Sequence, residues 1–341
     1  FIFGWEMPAT FLQVANPLMV VIFAPFFAAF WISLGKKNLD PDTPQKFALG
    51  CFLMAIGFLV IIFGVEAAMQ NEKAGVQFLL VTYLFHTLGS THMVDREESY
   101  DHYDTIFCAG PHQKNEIEKR EAIKEVRKKN LIQYGYPRLE KLVQIKSKAD
   151  KKDKVVLLAP TWGNESLINT IGEDVCTKII ESGFKLILRP HHETLKRTPE
   201  VISQIENRYK NNQSFTLVTE MSDTDSLLSS DILICDWSGT AIEYALGLEK
   251  PVIFIDTPPR VRNPNWKELK SEPLEISIRE KVGQIISPTN LNDLSSAITQ
   301  LLRNDKTFPD QMKSLRKEFV YNLGLSEIVG PEEIKKLLKT L

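Results

Sequence analysis

The residues of this sequence that can do chemistry cluster directly after short apolar runs. Pro160-Thr161-Trp162-Gly163 follows the run 155–159, and Arg189-Pro190-His191-His192-Glu193 follows 184–188. Thr219-Glu220 follows 215–218, Asp236-Trp237-Ser238-Gly239-Thr240 follows 231–235, and Asp256-Thr257-Pro258-Pro259-Arg260 follows 251–255. The turn of Ser238, Gly239 and Thr240 precedes a helical pattern. Unpaired backbone N–H groups at such a helix start, helped by the macrodipole, favour a phosphate. A hydroxyl that merely caps the helix is the competing reading of Ser238 and Thr240. Arg189 offers a planar fork that chelates phosphate, and His191 exchanges a proton near neutral pH. A salt-bridged arginine and a structural histidine are the plainer alternative, and His192 is expected to be solvated. Trp162 has a face for a nucleobase, weighed against partly buried packing. There is no G-x-G-x-x-G and no Walker loop, which argues against a dinucleotide or P-loop enzyme.

The elements that must position these groups follow from alternation. Apolar runs at 155–159, 184–188, 215–218, 231–235 and 251–255 read as strands. Patterns at 168–182, 199–209, 223–229, 240–248, 291–304 and 311–321 read as helices. Continuous apolar strands between amphipathic helices predict a parallel sheet covered on both faces, with ligands at the carboxyl ends of its strands. The expected fold class is therefore α/β, a Rossmann-like, doubly wound sheet over 153–330 within a domain of 153–341. Upstream, 103–110 reads as a buried strand, 114–129 as a helix, 134–138 as a turn and 146–154 as a basic, solvated linker.

The first 89 residues have a different texture. Runs at 11–34 and 47–65 carry no formal charge, and 75–89 is a third, shorter one. A helix needs about 20 apolar residues to cross the hydrocarbon core, so the first two qualify as transmembrane α-helices. Buried helices of a soluble fold are the competing reading. Lys36, Lys37 and Lys46 place the first loop, and with a third crossing the remaining chain, on the cytoplasmic side of the membrane. The chain opens at Phe1 inside an apolar segment with no basic stretch before it, so it is expected to be a piece of a longer protein without a signal peptide. The formal net charge of −2 over 341 residues gives no case for nucleic-acid binding. Cys51, Cys108, Cys176 and Cys235 lie far apart, which argues against a disulfide scaffold or zinc site and for small buried hydrophobes. No metal and no cofactor is expected.

Two resemblances organise these observations. Gly135-Tyr136-Pro137-Arg138, Ala159-Pro160-Thr161-Trp162, Leu188-Arg189-Pro190-His191, the stretch 223–228, and Ile234 to Thr240 with Lys250-Pro251 occur in an order that resembles the CDP-glycerol glycerophosphotransferases of teichoic acid synthesis. The resemblance covers about 90–340. It implies a partial glycosyltransferase-B architecture and transfer of glycerol phosphate from a CDP-activated donor, CDP-glycerol or similar, to the hydroxyl of a membrane lipid-linked acceptor. It implies donor phosphates held by Asp236, Ser238, Gly239 and Thr240, the nucleotide held by Thr161 and Trp162, and catalytic roles for Arg189, His191 and His92. His92 is the best match to a family histidine acting on the acceptor, although its usual His-Gly setting is absent. The family's second serine is Gly239 here, and its arginine after Pro-Thr-Trp is Gly163.

The motifs Asn16-Pro17, Ala24-Pro25, 46–50 and Thr82-Tyr83-Leu84-Phe85-His86-Thr87-Leu88-Gly89 resemble late helices of proton-dependent oligopeptide transporters, with Ser90 where that family has a glutamate. The expected organisation is a transporter-like membrane segment at 1–89, a remnant of a first transferase domain at 90–152 and a donor-binding domain at 153–341, with a junction of unrelated reading frames at Gly89-Ser90. The rival function is a proton-coupled peptide transporter fragment carrying an inactive cytoplasmic fusion.

Overall fold

Two parallel sheets organise the described part of the chain. The computed structural model describes residues 82–85, 87–145, 154–220, 224–303 and 307–339, which lie within one compact unit, 80–341. The expected membrane helices at 11–34 and 47–65, and the basic linker from 146 to 153, lie outside the described residues. Among the described residues no helix is long and apolar enough to cross a membrane.

The first sheet has three strands in the order β1 (Thr82–Leu84), β2 (Thr105–Cys108) and β3 (Asn130–Gln133). Ile106 pairs with Tyr83 on one side and Leu131 on the other. This corrects, at 82–84, the reading of 75–89 as a third, shorter apolar helix, because Thr82–Leu84 is a strand of this sheet. An apolar run of this length does not tell a buried strand from a helix segment by pattern alone. Helix α1 (Pro111–Lys124) returns the chain between β2 and β3, and α2 (Pro137–Gln144) starts with its proline at the first helical position, where the missing N–H costs nothing. The turn expected at 134–138 is therefore a helix start.

The second sheet has six parallel strands: β4 (Val155–Leu158), β5 (Lys185–Leu188), β6 (Phe215–Leu217), β7 (Ile232–Cys235), β8 (Val252–Ile255) and β9 (Gly283–Ile286). Their order is β6-β5-β4-β7-β8-β9, so the direction of winding reverses between β4 and β7. Every residue of β4, β7 and β8 is buried, as expected of strands covered on both faces. The covering helices are α3 (Gly172–Glu181), α4 (His192–Arg197), α5 (Pro199–Tyr209), α6 (Asp225–Ser229), α7 (Thr240–Leu248) and α8 (Leu294–Leu301). The parallel α/β sheet predicted from the alternation is thus the observed one, extended by β9.

The two sheets are joined by helices from both. A Cβ on Gly247 of α7 would lie 2.8 Å from Leu142 and 3.2 Å from Leu139, so the absent side chain lets α7 and α2 approach. Glu243 of α7 accepts hydrogen bonds from the Tyr136 hydroxyl and, at 2.8 Å, from Arg138 Nε. Two further helices, α9 (Phe308–Phe319) and α10 (Ser326–Lys339), return to the first sheet. Tyr321 N donates to Ala109 O at 2.9 Å, Asn322 to Gln133 O at 2.6 Å, and Ser326 Oγ to buried Glu140 at 2.7 Å.

The tightest point of this return is Gly110, where a Cβ would stand 2.0 Å from the Phe319 carbonyl oxygen. Backbone cannot rotate away as a flexible side chain can. Gly110→Ala is expected to destabilise the fold by about 1–3 kcal/mol, the usual cost of overpacking. An unchanged urea midpoint would show that the end of α9 is free to shift.

Candidate active site

Polar groups collect at the carboxyl ends of β4, β5, β7 and β8, where a winding reversal leaves room for a ligand. Asp236, fully buried at the end of β7, accepts three hydrogen bonds: from Thr161 N at 2.7 Å, Thr161 Oγ1 at 2.8 Å and Leu167 N at 2.9 Å. Its carboxylate fixes the loop after β4. With both oxygens so engaged, Asp236 is a positioning group, and a carboxylate is in any case a poor direct partner for phosphate.

Ser238, Gly239 and Thr240 lead into α7. Gly239 is the N-cap residue, and no side chain caps the helix. The N-cap position that the capping alternative gave to a hydroxyl is thus held by a glycine. The first backbone N–H bonds of the helix start at Ala241 and Ile242, which bond to Ser238 O and Gly239 O. Gly239 is exposed, and a Cβ there would lie 3.8 Å from Thr87 Oγ1, so the segment after β1 approaches this helix start.

His191 is the N-cap of α4, and its Nδ1 accepts from Glu193 N at 3.1 Å. The ring proton of the neutral form is therefore on Nε2. Burial first, then His192 and Arg260, push this imidazole down to about 4. It is neutral at pH 7 and offers a hydrogen bond rather than a charge. An unfolded histidine takes its proton near 6.5. The stabilising contribution is therefore complete above that pH and is lost as pH falls towards 4. The parent protein should lose more stability between pH 7 and pH 5 than His191→Gln, and equal losses in parallel denaturation curves would contradict this. Arg189, half-buried, donates from Nη1 to Ser226 Oγ at 3.2 Å.

Trp162 carries cations on its ring rather than an open face. Arg260 lies 3.8 Å and Arg197 5.0 Å from its centroid, and His191 is 6.1 Å away. Thr161, Trp162 and Asp236 line one pocket of about 270 Å³ together with Trp237, Ser166, Thr257 and Arg260. Arg189, His191, Ser238, Gly239 and Thr240 are not in that lining; His191 borders it through Trp162. The sequence places Arg260 after β8 among the polar strand ends but assigns it no role.

His92 stands between a backbone carbonyl and a carboxylate. It is 6 % exposed, Nε2 lies 3.0 Å from Ser271 O, and Nδ1 faces Glu116 Oε2 at 3.3 Å. A carbonyl only accepts, so Nε2 carries a proton, and the remaining nitrogen is turned to a carboxylate. Burial would push the imidazole down, but the Glu116 carboxylate outweighs it and holds it above the ordinary value. Glu116 is itself buried and also accepts from Thr91 N and Oγ1. His86, which follows β1 in sequence, lies outside the described residues.

The class so defined is a parallel α/β protein whose strand edge combines an uncapped helix start with cationic side chains. A model of the CDP-glycerol:poly(glycerophosphate) glycerophosphotransferase family matches residues 82–258, more than half of the 341 residues, and the chain belongs to this family. Residues 2–94 match the POT family, so the two matches overlap over 82–94. The transferase match begins at β1, not at Ser90. Among known sequences, the chain is similar to the uncharacterized transporter YclF of Bacillus subtilis, 41% identical over 88 residues, which is 25% of this chain and 17% of that one. It is also similar to dipeptide and tripeptide permease B of Salmonella typhimurium, 38% identical over 88 residues, 26% of this chain and 18% of that one. Among solved structures it is similar to the wall teichoic acid polymerase TagF, at 17% identity and a TM-score of 0.43, covering 70% of this chain and 59% of that one. A UDP-GlcNAc 2-epimerase from Methanocaldococcus jannaschii gives 15% identity and 0.40, covering 63% and 60%. The chain thus spans less than a fifth of these transporters and about three-fifths of these solved structures.

Proposed function

We infer that this chain transfers glycerol phosphate, or a related group, from a CDP-activated donor to an acceptor hydroxyl. The observation that carries this reading is the family match from β1 through β8, which contains most of the polar strand edge. In the transfer, the acceptor hydroxyl gives its proton to a base and its oxygen attacks the phosphorus of the glycerol phosphate. The bond from that phosphorus to the bridging oxygen breaks, and CMP leaves with the electron pair. The N–H groups of the Ser238-Gly239-Thr240 turn hold donor phosphate, and Arg189 balances the charge that grows on the departing CMP. His191 donates from Nε2 to the same group. Thr161 and Asp236 set the loop that walls the nucleotide pocket. His92 acts as a buried strut tying the segment after β1 to Glu116 and Ser271, and the second imidazole of that segment, His86, is the one to test as acceptor base. The acceptor in this reading is lipid-linked, and the chain works at the cytoplasmic face of a membrane into which its first residues insert.

The POT match over 2–94 favours a second reading, a peptide-transporter piece with an inactive appendage. The full chain in detergent, given CDP-glycerol and a glycerol-phosphate-terminated acceptor, distinguishes the two. Acceptor-dependent CMP release supports the transferase. Its absence in protein shown to be folded rejects that activity for this chain.

A further inference from the structure

Three side chains around the pocket over β4, β7 and β8 have polar atoms with nothing to bind. Ser166 and Thr257 are 5 % and 4 % exposed, and both hydroxyl oxygens, Ser166 Oγ and Thr257 Oγ1, are buried without a hydrogen-bond partner. Leaving such a group unsatisfied costs about 1–3 kcal/mol, so a native fold that tolerates two in one pocket calls for a reason. Both line the pocket of about 270 Å³. The third is Arg260, half-buried in the same lining, which makes no ion pair or hydrogen bond among the described residues. Its guanidinium carbon lies 3.8 Å from the centre of the Trp162 ring.

This contact decides what Trp162 does. A guanidinium at 3.8 Å occupies an aromatic face, and Arg197 at 5.0 Å crowds the ring further. A nucleobase would have to displace a favourable cation–π contact to stack there. The indole instead seats the Arg260 guanidinium, which lines the pocket. A guanidinium is a planar fork, the shape that chelates an oxyanion. The surrounding charge is consistent with an anion. Arg262 and Arg197 both lie close enough to depress the Arg260 guanidinium, although burial is the larger cause. Of the carboxylates nearby, Asp236 is engaged by three donors and Glu193 is paired with Arg197 at 2.5 Å. Glu165, also in the lining, is exposed.

We propose that Arg260, seated on Trp162, forms with the hydroxyls of Ser166 and Thr257 a second phosphate subsite, for the part of the donor's diphosphate that the Ser238-Gly239-Thr240 turn does not hold. The proposal deepens the transferase reading and rests on it for the donor's identity, while the oxyanion chemistry stands alone. It makes Arg260 a specificity-determining residue and Trp162 its positioning residue.

The test is calorimetric titration of the full chain in detergent with pyrophosphate, CDP and cytidine. The parent should bind pyrophosphate and CDP. Arg260→Gln should weaken both by roughly 10- to 100-fold, the range for a charge-assisted hydrogen bond, and leave any cytidine binding unchanged. Arg260→Lys, which keeps the charge without the fork, should recover only part of the loss. Trp162→Leu, which keeps apolar bulk without a π face, should weaken pyrophosphate binding, and Trp162→Phe should keep most of it, a difference that lost packing alone does not give. Ser166→Ala and Thr257→Ala should each weaken binding about fivefold without lowering the denaturation midpoint, since neither hydroxyl has an internal partner. Parental pyrophosphate affinity in Arg260→Gln, or no pyrophosphate binding by the parent, overturns the subsite. If the parent binds pyrophosphate through Arg260 but never releases CMP, the transferase reading falls and the subsite stands. If CMP release is robust and Arg260→Gln binds as the parent does, the reverse holds.

Discussion

Arg189→Ala and His191→Ala are each expected to slow CMP release from CDP-glycerol by roughly 100- to 1,000-fold, the usual cost of deleting a group that stabilises developing charge in a site shielded from water. Neither side chain belongs to the core. Arg189 bonds to Ser226, and His191 caps the six-residue α4. That hydrogen bond and that cap are worth about 1 kcal/mol each, far less than the roughly 4 kcal/mol that a thousandfold slower rate represents by transition-state arithmetic. The two variants should therefore melt close to the parent while turning over poorly. Parental CMP release by both would remove the β5 edge from the active site. A proportionate loss of folded protein would reduce the effect to stability.

Asp236→Ala should do the opposite, lowering stability heavily before any question of rate arises. The carboxylate is fully buried and takes two backbone N–H groups and the Thr161 hydroxyl. An alanine leaves three donors without their acceptor, at about 1–3 kcal/mol for each that stays buried. A loss of about 3 kcal/mol or more is expected by chemical denaturation. Asp236→Asn, which retains one carbonyl oxygen, should lose less. If Asp236→Ala instead keeps its midpoint and only binds CDP more weakly, the carboxylate is a ligand group after all.

The large sheet was legible because its central strands need apolar residues on both faces, and 155–158, 232–235 and 252–255 supply nothing else. Helix α7 was read with its observed limits, Thr240 and Leu248, because small polar residues end abruptly at an apolar pattern. Three strands were hidden for separate reasons. β9 begins Gly283-Gln284, β3 has Asn130 and Gln133 at its ends, and β1 sits inside a longer apolar run. At the site, sequence marked which residues follow strands but not where they point. Asp236 reads as a phosphate ligand by position and turns inward to Thr161. His92 reads as a base and is buried between Ser271 and Glu116. Arg260 reads as the tail of a proline loop, and only its seat on Trp162 separates it from other surface cations.

The return of α9 and α10 to the first sheet has a consequence for how the molecule is made. Gln133 receives its bond from Asn322, 189 residues later in the chain, and Tyr134 packs against Gly330. A ribosome adds about 5–20 residues each second, so β3 waits roughly 10–40 s for its covering helix to be synthesised. The large sheet can close in that interval from its own consecutive strands, while the small one stays bare along a face that carries Phe107 and Tyr134. Protein yield in the cell should therefore respond more sharply to changes in 308–330 than equilibrium stability does, because the nascent chain passes through a long window in which that face is open to chaperones and proteases.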